Sequence, residues 1–88
     1  MGAVDPTALP DDARSLCEFL VRRLVDEPAA VVVVEEEGAE GTVLRVTVAP
    51  DDRGKVIGRQ GRVVRALRTV IRAGGVRSSD RVQLEIVE

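Results

Sequence analysis

Apolar side chains recur along this chain with two different periods. Ala13, Leu16, Cys17, Leu20 and Leu24, with Phe19 and Val21 widening the stripe, repeat every three to four residues. That is the spacing of one helix face. Asp11 or Asp12 stands where a short carboxylate accepts the free N–H groups of a helix start. The helix should end near Asp26, because Pro28 cannot continue it and restricts the residue before it. The period then changes. Val31 to Val34 is a β-branched run leading into Glu35, Glu36 and Glu37, and Thr42 to Val48 alternates with Leu44, Val46 and Val48 on one face. Two strands joined by Gly38-Ala39-Glu40-Gly41 read as a hairpin.

The helical period returns after Pro50. That proline and the acids Asp51 and Asp52 suit the first turn of a short second helix, which stops at Gly58. A third helix is expected from about Arg62. Val63, Val64, Leu67, Val70 and Ile71 form its apolar face, and Arg65, Arg68 and Arg72 belong to a solvated face. Gly74-Gly75 should stop it. Arg81 to Glu88 alternates again, with Val82, Leu84 and Ile86 inward. The predicted order is α-β-β-α-α-β. It makes an α+β sandwich, a three-stranded sheet packed on one face by three helices. Residues 1–10, with two prolines and no period, read as a flexible N-terminal tail, and residues 11–88 as a single domain.

Charge changes the picture more than composition does. The whole chain of 88 residues carries a net charge of −2. Residues 1–52 hold 4 Arg against 12 Asp and Glu, whereas residues 53–81 hold 8 Arg and Lys55 against Asp80 alone. The positive half begins at the stretch GKVIGRQG, which points to an anion site. The one cysteine, Cys17, lies on the apolar side of the first helix and is expected to be a buried thiol. A chain with one cysteine forms no internal disulfide, which suits a cytoplasmic location. The longest apolar run is too short to span a bilayer, so no membrane association is expected.

Catalysis finds no support in the residues. There is no histidine, no metal-ligand cluster, no G-K-[ST] closing a Walker loop and no Gly-x-Gly-x-x-Gly. The chain is expected to be neither an enzyme nor a holder of cofactors or metals. With 8 glycines in the chain, about one Gly-x-x-Gly pair arises by chance, so context must separate the two present. Gly38-Ala39-Glu40-Gly41 closes a hairpin and has acidic flanks. Gly58-Arg59-Gln60-Gly61 joins two helices and precedes the third, where free N–H groups and the dipole favour an anion. Glycines there let a backbone approach a sugar-phosphate chain, Arg59 and Gln60 sit at the tip, and Lys55 and Arg62 flank it.

The run Val56-Ile57-Gly58-Arg59-Gln60-Gly61, continued by Arg62-Val63-Val64, resembles the KH domain, and the element order resembles its type II, bacterial arrangement. The phrases LVDEP, TVLRVTVAPDDRGKVIGRQGRVVRALRTVIRA and VQLEIVE are similar to the small single-KH proteins of bacteria, the KhpA or YlqC-like family. That resemblance implies a cytoplasmic protein that binds single-stranded RNA, about four nucleotides held by the Gly-x-x-Gly loop. It implies self-association as a homodimer and pairing with a larger Jag-like KH protein (KhpB). A role as post-transcriptional regulator or RNA chaperone, linked to cell shape and division, is implied as well. The residues it assigns to RNA are Lys55, Val56, Ile57, Gly58, Arg59, Gln60, Gly61, Arg62 and Val64, the aliphatic ones as the floor of a base-binding groove. An aliphatic groove accords with a chain whose single aromatic is Phe19, too few for the stacking platforms of other RNA-binding folds. A KH fold used only for protein contact is the alternative.

Overall fold

A computed structural model describes residues 12–73 and 82–87. The tail at 1–10, Asp11, Gly74-Gly75, Arg81 and Glu88 lie outside the described residues. The elements are α1 (Ala13–Leu24), a 3-10 turn (Pro28–Ala30), β1 (Val32–Gly38) and β2 (Gly41–Thr47). A second 3-10 turn (Pro50–Asp52) runs into α2 (Arg53–Ile57). A third (Arg59–Gly61) leads into α3 (Arg62–Ala73), and β3 (Val82–Ile86) follows. This is the α+β, α-β-β-α-α-β order expected from the periodicities.

Asp12 caps α1, accepting the Ser15 N–H at 3.0 Å, and that bond holds its carboxyl below the usual range. β1 and β2 pair antiparallel from Val32↔Thr47 to Gly38↔Gly41, so the hairpin turn is Ala39-Glu40 alone. β3 lies parallel to β2 at the other edge, with Leu44↔Leu84 and Val46↔Ile86 side by side. Alternation puts Val33, Leu44, Val46, Val82 and Leu84 into the core with Leu16, Cys17, Val21, Val56, Leu67 and Ile71 from the helices. Burying each such aliphatic chain contributes about 1.5–3 kcal/mol. Two arginines tie helices to strand backbones: Arg14 donates to the Val33 carbonyl at 3.0 Å and Arg72 to the Val82 carbonyl at 3.2 Å. The far face of the sheet carries Arg45 between Glu36 (2.7 Å) and Glu85 (3.2 Å).

The apolar stripes are rotated from where their spacing put them. On α1 the buried centre is Leu16, Cys17 and Val21, while Leu24 is 38 % exposed and Val25 packs in its place. Phe19, expected to widen the inward stripe, lies partly exposed under the Arg23 guanidinium, 4.5 Å above its ring. On α3, Val70 was expected inward but is 48 % exposed. The sheet offers helix α3 a narrow strip, and Leu67 and Ile71 fill it. Arg72, expected on a solvated face, reaches β3 instead.

Among the described residues a charged one, Asp52, is buried with these side chains. Asp52 is 1 % exposed, yet the sequence marks it only as a helix-start acid. Its carboxylate accepts the Asp26 N–H at 3.2 Å and the Glu27 N–H at 3.1 Å, and meets Lys55 Nζ at 3.3 Å. The C-terminal end of α1 would otherwise leave the backbone between α1 and the following 3-10 turn without acceptors for these donors. Burial pushes the Asp52 carboxyl up, but the two amides and Lys55 outweigh it and hold it below the usual carboxylate range. Its stabilisation is therefore present at neutral pH and lost as pH falls through that lowered value.

Asp52→Asn should lower the melting temperature at pH 7 by about 5–10 °C, because an amide oxygen replaces two acceptors with one. The gap from wild type should narrow as pH falls below about 4, measured by circular dichroism melts across pH. Cys17 is fully buried and its thiol is pushed up to about 12 by desolvation, so it should react with a thiol reagent at pH 8 only after denaturant is added.

Candidate nucleic-acid interface

Helix α2 is five residues long and ends because Gly58 leaves helical geometry, at φ 74° and ψ 171°. Its N–H still closes onto the Gly54 carbonyl at 2.8 Å. A side chain here has no room: a Cβ would lie 2.4 Å from Val63 Cγ2 and 2.8 Å from Val63 N. Val63 in turn packs on the core from the first turn of α3. Gly58 is thus where the end of α2 and the start of α3 meet backbone against side chain. The loop tip follows as one tight turn. Gln60 stands at φ 57° and ψ 26°, left-handed for a residue with a side chain, and Gly61 at φ 72°. Holding a non-glycine residue in that region costs about 1–2 kcal/mol. The Gly61 N–H closes the turn on the Gly58 carbonyl at 3.1 Å.

Gly61 differs from Gly58 in its surroundings. A Cβ there would meet only Val64 Cγ1 at 3.8 Å and Arg65 Nη2 at 4.0 Å. A Cβ would fit over Gly61 without overlap, and the residue is only partly buried, so its backbone is not crowded as that of Gly58 is. Arg59, Gln60 and Arg62 line a hollow of about 340 Å³ beside it. All three are exposed, and neither arginine makes a hydrogen bond or ion pair with any described residue. The first turn of a twelve-residue helix, α3, adds the positive end of its dipole to the same place.

The other candidates fall differently. Val56 is fully buried and contributes core rather than surface. Ile57 is 37 % exposed and Val64 half-buried, so these two supply the aliphatic surface beside the loop. Lys55 is engaged: Nζ pairs with Asp26 and with the buried Asp52, and the Asp26 carboxylate above all holds its ammonium protonated beyond the usual lysine range. Its charge is therefore largely offset where it stands. Arg65, placed by its period on a solvated face, donates Nη2 to the Gln60 carbonyl at 2.9 Å. The i, i+3 spacing of Asp52 and Lys55 was a local signal for their pairing. Nothing local signalled Asp26, 29 residues before Lys55.

Against known proteins, residues 14–86 match the family model described as KhpA/KhpB, KH domain. The chain belongs to this KH family. It is 46 % identical over 74 residues to an RNA-binding protein KhpA of Clostridium acetobutylicum, covering 84 % of this chain and 99 % of the relative. The KhpA of Bacillus subtilis is 46 % identical over 73 residues, 83 % of this chain and 90 % of that one. The KhpA of Aquifex aeolicus is 44 % identical over 75 residues, 85 % and 95 %. No solved structure matches. Membership of this non-enzymatic family agrees with the expectation that the chain is not an enzyme. Among the described residues no helix is long and apolar enough to cross a membrane, and no group of acidic or thiol side chains could hold a metal ion.

The two glycines of the KH loop should respond differently to the same change. Gly58→Ala should destabilise by about 3 kcal/mol or more, since strain and overlap with Val63 combine. Gly61→Ala should cost about 1 kcal/mol and leave a folded protein. Urea denaturation of both variants measures the difference.

Proposed function

We propose that the chain is a non-catalytic, cytoplasmic binder of single-stranded RNA. In this reading the loop Gly58-Arg59-Gln60-Gly61 grips the sugar-phosphate backbone. One observation carries the reading: Arg59, Gln60 and Arg62 line a hollow at the positive end of α3, beside the partly exposed Gly61, and neither guanidinium pairs with a described residue. The names of the KhpA relatives support it. Arg59 and Arg62 meet phosphate oxygens, Gln60 and loop amides add hydrogen bonds, and Ile57 and Val64 offer aliphatic contact to base faces. About four nucleotides are spanned. With about three phosphates neutralised, the slope of log affinity against log salt is near −2 for a single strand.

A lone loop binds weakly, and self-association would raise affinity through effective concentration. Val32 and Val34, 51 % and 46 % exposed on the open sheet face, and Val70 on α3 favour such contacts. A homodimer and pairing with a larger KhpB-type KH protein, in post-transcriptional control or RNA chaperoning, belong to the same proposal.

Fluorescence anisotropy with labelled single-stranded RNA pools tests it. Arg59→Asp combined with Gln60→Asp should lower affinity at least 20-fold while circular dichroism stays unchanged, since both sites lie at an exposed tip. Equal binding by a folded double variant would remove the loop from the mechanism. No binding by wild type would favour protein contact as the role of the fold.

A further inference from the structure

We propose that Arg65 is a positioning residue for the loop, acting through the backbone of Gln60 rather than by touching RNA. The proposal rests on the RNA-binding reading of the loop. Four residues after Gly61 on α3, the Arg65 side chain leans toward the helix N-terminus, as helical side chains do. There it donates Nη2 to the Gln60 carbonyl at 2.9 Å, and no carboxylate of any described residue pairs with it. The Gln60–Gly61 peptide is consequently held at both ends. Its N–H donates to the Gly58 carbonyl at 3.1 Å, and its C=O accepts from Arg65. This matters because Gln60 occupies a left-handed conformation that its side chain disfavours, at φ 57°. Left to itself the tip would relax and redirect the loop amides. Arg65 supplies the outside restraint. The same Nη2 stands 4.0 Å from where a Gly61 Cβ would be, so the guanidinium lies against the loop it restrains.

The test separates positioning from charge. Arg65→Gln, checked for folding by circular dichroism, should speed amide exchange at Gly61 several-fold in the free protein, read by NMR. It should also weaken RNA binding about 5- to 10-fold at every salt concentration, with the salt slope unchanged. In a Gln60→Asn background, where the left-handed conformation is better tolerated, the same Arg65→Gln change should cost about 2-fold or less. A salt slope shallower by about 0.7, with Arg65→Lys restoring full affinity, would mean a direct phosphate contact and overturn the proposal. Unchanged Gly61 exchange overturns it whatever RNA does. Failure of the RNA reading shows separately, as wild-type affinity that is absent or indifferent to the Arg59→Asp/Gln60→Asp pair, while Gly61 exchange still decides whether Arg65 orders the loop.

Discussion

Everything at the candidate interface depends on the contact between Gly58 and Val63. Where a Cβ would sit 2.4 Å from a valine methyl, only a glycine fits. That closeness lets α2 stop and α3 begin within four residues. The turn between them is then too short to bury its own side chains, so Arg59 and Gln60 are thrown outward. The same turn forces left-handed backbone at Gln60 and Gly61. A packing requirement between two helices thus produces an exposed, cationic, partly strained tip. Strain of this kind persists only where surrounding bonds over-determine it, and here the Gly58 carbonyl and Arg65 hold the Gln60–Gly61 peptide.

The base of the loop is held by a different kind of force. Asp52 is a carboxylate taken out of water, which is costly unless its oxygens are hydrogen-bonded. Two backbone amides and Lys55 supply those bonds and lock the start of α2 to the segment leaving α1. The anchor explains why Lys55, one of the cations flanking the loop, is not available in the way Arg59 and Arg62 are. A long flexible ammonium pairs with whatever carboxylate is near, and here two are. The charge excess of residues 53–81 therefore overstates the positive charge presented at the tip. Part of it is spent inside the fold, on Asp26, on the Gln60 carbonyl and on the Val82 carbonyl.

Much of this was legible before any coordinates. The switch from period 3.6 to period 2 and back marked α1, α3 and the strands, though not the three 3-10 turns, one of which takes the place expected for the first turn of α2. The core of the sheet followed from alternation at Leu44, Val46, Val82 and Leu84. The position of Gly58-Arg59-Gln60-Gly61 between two helices distinguished it from the hairpin glycines. Less legible was how far each helix is rotated about its axis. Period alone allows a stripe wider than the surface it meets, so Leu24 and Val70 read as inward and are not. Phe19 read the same way for the same reason.

Local signals are short-range in sequence: cap, period, proline, glycine. They determined the order of helices and strands and the place of the loop, because each is set by backbone sterics and side-chain spacing within a few residues. What only the tertiary structure decided are relations across the chain. Asp52 meets amides 25 and 26 residues earlier. Gly58 and Gly61, alike in the sequence, divide into one glycine that packing requires and one where a Cβ would fit without overlap. Among the described residues Arg59 and Arg62 have no partner while Lys55 and Arg65 do, since a charge is bound or not according to which distant groups folding brings within about 4 Å of it.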